Sequence, residues 1–283
     1  MLKKIEFTST KEQATHIRHE FAELMADLAD RDPAATPRTW GFEVETPEAD
    51  KAYRNATRTD LDTIAFCQDG SVSSSDGCEC DCRACSYHTC DCDDCESYND
   101  DPDHDCGSSE CCGEYQEIKS IGGLSGTHPE ALAILDRIGL DDCEITAECG
   151  LHIHISTADL TPIQLAKVQT AYRLAEFIFD AIAGRAGNYY YQRHNDQNED
   201  YTRKGNPSDK YTAVNTKWHF EGPRLGRPQT VEFRQHEGTN DTNRIRAWAW
   251  LLIRLVEFAK TDRPVYWVGK STTLAELVHA LRP

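Results

Sequence analysis

Three short segments carry side chains suited to holding a cation, each at two-residue spacing. Residues 41–45 read GFEVE, residues 150–156 GLHIHIS and residues 230–237 TVEFRQHE. In a β-strand residues i and i+2 share a face, about 6.6–6.8 Å apart. Glu43 and Glu45 then lie opposite Phe42 and Val44, and His152 and His154 opposite Leu151, Ile153 and Ile155. Glu232, Arg234 and His236 lie opposite Val231 and Phe233, and Glu117 and Lys119 pair likewise in EYQEIKSI. Alternation alone describes any sheet with one face in water. These faces are different in kind: Glu-x-Glu, His-x-His and Glu-x-Arg offer oxygen and nitrogen ligands for a divalent ion and a planar fork for phosphate. Carboxylates on one face also repel each other unless a cation lies between them.

A second cluster is built of thiols. Of 13 cysteines, ten fall between Cys78 and Cys112; the others are Cys67, Cys143 and Cys149. The run Cys80-Asp-Cys82-x-x-Cys85 repeats as Cys90-Asp-Cys92-x-x-Cys95. Two thiolates on a C-x-x-C turn can meet one tetrahedral ion, so structural zinc is the favoured reading of residues 76–113. Disulfides and an iron–sulfur cluster are the competing readings. Cys78, Cys106, Cys111, Cys112, His88 and His104 can complete the two sites. The segment is poor in apolar residues, so a metal would supply its folding energy. Cys67, Cys143 and Cys149 read as small buried hydrophobes.

These residues need elements to place them. Ala14, Ile17, Phe21, Leu24 and Leu28 predict a helix from Thr10. Strands are expected at 40–46, 67–73 (turning at Asp69-Gly70), 114–121, 144–156, 210–220 and 229–237. Helices are expected at 129–138, 161–183, 242–260 and 274–281, the second with Thr161 as cap, Pro162 at its first position and Gly184 past its end. Residues 185–210 read as a polar, aromatic loop over a site. Strands without regular βα alternation predict an α+β fold with a mostly antiparallel sheet, helices packed on one of its faces, and a Cys-rich metal-binding insert. The single domain spans 1–283 with the module at 76–113 inserted.

Charge and hydropathy narrow the function classes. The formal net charge is −18, which disfavours nucleic acid and anionic membranes as partners. No stretch of 18 apolar residues predicts a transmembrane helix, and MLKKIEFTSTKEQ lacks the apolar core of a secretory signal. Clustered thiols without an export signal predict a reduced, cytoplasmic setting. Gly269-Lys270-Ser271-Thr272 lacks the upstream glycine of a phosphate-binding loop and reads as a turn before the last helix.

Taken in order, GFEVE, QDGSVS, EIKS, CGLHIHIS, KYTAVN and TVEFRQHEGTND resemble the amidoligase family, carboxylate–amine ligases related in fold to glutamine synthetase and glutamate–cysteine ligase. The resemblance runs from about Trp40 to about Phe258, interrupted by the Cys-rich segment. It implies a curved antiparallel sheet of glutamine-synthetase-like fold, whose concave face holds ATP and two or three Mg²⁺ (or Mn²⁺) ions. It implies Glu43, Glu45, Glu117, one or both of His152 and His154, and Glu232 as the metal ligands. Arg234 would stabilise the transferring phosphoryl group, and Arg185, Tyr211 and Asn215 would contact nucleotide or substrate. The substrates would be a small-molecule or peptide carboxylate and an amine, joined through an acyl phosphate. One departure is plain: the family's second strand often reads Glu-Ile-Val-Ser-Pro, whereas this chain has Glu117-Ile118-Lys119-Ser120-Ile121. Two alternatives stand beside the ligase: a zinc-stabilised protein-binding scaffold on a non-catalytic ligase fold, and a phosphotransferase of related fold. His194, His219 and His236 are candidate bases for an incoming amine, with His236 foremost because its face is that of Glu232 and Arg234.

Overall fold

The computed structural model describes residues 6–29, 38–67, 115–121, 124–125, 129–184, 212–225 and 227–282. The Cys-rich segment with all its candidate zinc ligands, the turn after Cys67, Arg185, His194 and Tyr211 lie outside the described residues.

Among the described residues, seven strands form one sheet in which every pairing is antiparallel. They are β1 (Thr39–Glu45), β2 (Ile64–Cys67), β3 (Glu117–Ser120), β4 (Leu124–Ser125), β5 (Gly150–Ser156), β6 (Val214–Asn215) and β7 (Thr230–Glu237). The order is β2-β3-β1-β5-β7-β6, with β4 pairing β1. β1 and β5 therefore occupy the middle, where both edges of each strand are paired and register is strongly fixed. The alternation works as the sequence predicts: Trp40, Phe42 and Val44, then Leu151, Ile153 and Ile155, then Val231 and Phe233 are buried.

Helices, most of them packed behind that apolar face, give an α+β architecture. They are α1 (Thr10–Ala29), α2 (Ala49–Asn55), α3 (Pro129–Arg137), α4 (Pro162–Leu174), α5 (Glu176–Ala183), α6 (Lys217–Glu221), α7 (Thr242–Phe258), α8 (Tyr266–Gly269) and α9 (Leu274–Ala280). Tyr172 of α4 stacks on Phe179 of α5 at 4.3 Å, and Phe179 meets Trp248 of α7 edge-on at 5.8 Å. α4 begins in a capping box, where the Thr161 side chain accepts from Gln164 N and the Gln164 side chain accepts from Thr161 N. Asp241 caps α7 by accepting from the backbone N–H groups of Asn243 and Arg244. Among the described residues, no helix is long and apolar enough to cross a membrane.

Several boundaries differ from expectation. Residues 144–149 are not strand: Cys149 N donates to Thr146 O in a turn, so β5 starts only at Gly150. The helix expected over 161–183 breaks at Ala175, and Gly184 ends its second half at φ 80°. The strand expected over 210–220 shrinks to Val214–Asn215, because Asn215 Oδ1 accepts from Lys217 N and turns the chain into α6. β4, α2 and α8 are short elements that no periodicity announced. The Gly269–Thr272 stretch does lead into α9, with Glu276 accepting from Thr272 N.

Candidate metal centre

The strand register brings the ionisable side chains into rows across the sheet. One row reads Lys119–Glu43–His152 across β3, β1 and β5. A second reads Gly41–His154–Glu232–Asn215 across β1, β5, β7 and β6. A third pairs Glu45 with Glu117. All seven charged or imidazole groups therefore converge on the face away from the helices. Glu43, His152 and Glu232, from three adjacent strands, place one ligand atom each within 4.8 Å of one another.

The contacts within this group are close. His152 Nδ1 lies 3.0 Å from Glu43 Oε2 and its Nε2 3.4 Å from Glu45 Oε1. Glu45 Oε2 accepts from Gly150 N at 2.6 Å. Asn215 Nδ2 donates to Glu232 Oε2 at 2.8 Å, while Arg234 donates to the other oxygen of Glu232. Asn215 therefore holds a carboxylate of the group, and it also lines the cleft beside it. Lys119 Nζ lies 2.6 Å from Glu117 Oε2 and 3.5 Å from Glu43 Oε1. Glu45, Glu117, His152 and Glu232 are each no more than 4% exposed.

Burial of this kind penalises charge, and the pairing answers it. Desolvation alone would raise the Glu43 carboxyl; the charge of His154, the hydrogen bond from His152 and nearby Lys119 hold it well below the usual carboxylate range. Burial likewise opposes the charged form of His154, but Glu43 and Glu232 push its pKa up. Burial also opposes the Arg234 charge, and Glu232, Glu43 and Glu45 raise its pKa regardless.

A β-bulge shapes the far side of the centre. Leu151 pairs with His236 and Ile153 with Phe233, so Arg234 and Gln235 together face the single residue His152. Arg234 points to the carboxylates. Gln235 points to the helices, where it accepts from Tyr172 Oη and donates to Asp180. The extra residue also carries His236 to the helix face, correcting the expectation that it shares a face with Glu232 and Arg234. Its ring packs 5.1 Å from Trp248, and its Nε2 accepts from Arg244 Nε at 3.2 Å. Its Nδ1 lies 2.6 Å from Glu237 O, which fits the Nδ1–H tautomer. His219 is buried, with its Nδ1 2.9 Å from Thr157 Oγ1, and burial lowers its pKa. Cys143 and Cys149 are buried as expected, whereas Cys67 is half-buried and pairs with Glu117 across β2 and β3.

The face opens into a cleft of about 480 Å³ lined by Glu43, Lys119, His154, Glu232 and Arg234 at one end. Lys217, Trp218 and Arg227 line it too, with Arg227 stacked 4.8 Å over the Trp218 ring. Reading 210–220 as strand hid this wall; two cations close to a tryptophan were the available signal. Compared with known proteins, the chain matches no protein-family model, no curated protein and no solved structure.

The donor set fits a hard or borderline divalent ion: two carboxylates and one imidazole on three strands, with further carboxylates beside them. One buried polar atom at the site supports that fit: His154 Nε2 lies 3.2 Å from Glu43 Oε1 without hydrogen-bonding geometry. Arg234 Nε, a buried N–H donor with no hydrogen-bond partner, suits an anion beside the ion instead.

Proposed function

We propose that the chain is an ATP-dependent ligase joining a carboxylate to an amine, with a sheet of glutamine-synthetase-like kind and a zinc-binding Cys-rich module at 76–113. The observation that carries this reading is the convergence of Glu43, His152 and Glu232 beside Arg234, where Glu43, Glu232 and Arg234 line a cleft. The motif order along the chain supplies the ligase chemistry, and the geometry supplies residues able to perform it.

A carboxylate is a poor acyl donor because its leaving group would be oxide. Transfer of a γ-phosphoryl group to it gives an acyl phosphate and ADP; amine attack then forms the amide and releases phosphate. Such transfer needs charge neutralisation and alignment more than covalent help from the protein. Glu43, His152 and Glu232 would hold a divalent ion, with Glu45, Glu117 and His154 at its border, and that ion would neutralise phosphate oxygens. Arg234, pinned by Glu232 at the cleft, presents its guanidinium to the transferring group. Asn215 orients Glu232 so that one oxygen faces the centre. Lys217 and Arg227 give the outer cleft a positive wall in a chain of net charge −18, suiting an anionic substrate.

Calorimetry with ATP tests the reading. Binding is expected with Mg²⁺ present, and is expected to disappear with EDTA and in Glu232→Ala. Undiminished ATP binding in that variant would remove Glu232 from the site.

A further inference from the structure

Glu43 uses its two oxygens for different neighbours. Oε2 faces His152 at 3.0 Å, within the cluster of three ligand atoms. Oε1 lies 3.2 Å from His154 Nε2 and 3.5 Å from Lys119 Nζ. Lys119 Nζ is in turn 2.6 Å from Glu117 Oε2, a carboxylate that is 4% exposed and stands across from Glu45. A carboxylate bridging two cations is the arrangement of two-metal centres, whose ions stand about 3.5–4 Å apart. Here the bridging carboxylate has a metal-ligand cluster on one side and an ammonium group on the other.

We infer that Lys119 is a resident second cation: the centre takes one divalent ion, at Glu43, His152 and Glu232, and the Lys119 ammonium between Glu43 and Glu117 stands where a second ion would bind. The inference rests on the metal-centre reading above and refines it. Two physical points carry it. A buried carboxylate such as Glu117 requires a cation, and removing its partner would leave an uncompensated buried charge. Lys119 is also fixed by the fold, since its backbone is paired on both sides, with Glu43 in β1 and Ala65 in β2. An ammonium is a point charge with three donors, so it can hold both carboxylates and still face an anion in the cleft it lines. The competing possibility is that Lys119 is a simple ion-pair partner that swings aside when two ions load.

Counting ions separates these. The full chain, loaded with zinc to fill the thiol sites, is titrated with Mn²⁺, and unbound Mn²⁺ is followed by electron paramagnetic resonance. The expected counts are one Mn²⁺ per chain for the native protein, two for Lys119→Met and none for Glu43→Ala. Should Lys119→Met fail to fold, Lys119→Gln serves instead, and two ions are again expected. A native count of two, or one ion in folded Lys119→Met, would overturn the role of Lys119 while leaving the metal centre standing. A native count of zero would overturn both.

Discussion

Glu232 is held from two sides, by Asn215 on one oxygen and Arg234 on the other, and it stands 3.8 Å from His152 Nδ1. A carboxylate fixed in this way is pre-organised for an ion, because no side-chain entropy remains to be lost on binding. Asn215→Ala removes one of the two holds without touching the ligand atoms. Mn²⁺ affinity measured by calorimetry is expected to fall by about 10–100-fold, the usual cost of losing a ligand's supporting hydrogen bond. An unchanged affinity would mean that Arg234 alone orients Glu232. His154 belongs at this scale too: its protonated form is favoured by Glu43 and Glu232, so an ion entering beside it competes with a proton.

Among the elements, β7 matters most, because its bulge sorts neighbouring residues onto opposite faces. Arg234 goes to the cleft, and Gln235 and His236 go under the sheet to Tyr172, Asp180 and Arg244. His236→Ala is therefore expected to cost about 1–3 kcal/mol of stability in urea denaturation, since Arg244 loses its buried acceptor. Its Mn²⁺ affinity is expected to stay that of the native protein; a lost metal site would place His236 at the centre after all. The bulge also marks the limit of what the sequence makes legible. Strict alternation located Glu43, Glu45, His152, His154 and Glu232 correctly, because β1 and β5 are regular central strands with one apolar face. It misplaced His236, because an extra residue in β7 leaves no trace in a two-residue period. It also misread residues 216–220, where an asparagine turn outweighs local alternation.

At the scale of the whole molecule, the helices hold the sheet from behind, and the ionisable face opens to the cleft. Trp248 is fully buried between Phe179 and His236, so Trp248→Ala is expected to lose about 3–5 kcal/mol by denaturant titration. Buried Arg38 ties the end of β5 to α7, donating to Ser156 O, Asp159 and Glu257. Burial would raise the Asp159 carboxyl, but hydrogen bonds from Arg38 and Lys260 bring it down to about 2. A carboxyl depressed in the folded state stabilises above its unfolded pKa and loses that contribution as pH falls through the folded value. The stability difference between native protein and Asp159→Asn is thus expected to be full above about pH 4 and to close as pH falls through about 2. Equal differences at both ends of that range would leave the Arg38 clamp without an electrostatic part. The proposed ligase reaction belongs to the other face. The most direct measurement offers ATP, Mg²⁺ and a panel of carboxylic acids with hydroxylamine as a general amine, and quantifies hydroxamate and ADP together. Equal amounts of the two with at least one acid, lost in Glu232→Ala, are the predicted result. Hydroxamate formed equally well by Glu232→Ala, or a stable phosphorylated product with no hydroxamate, would contradict the account.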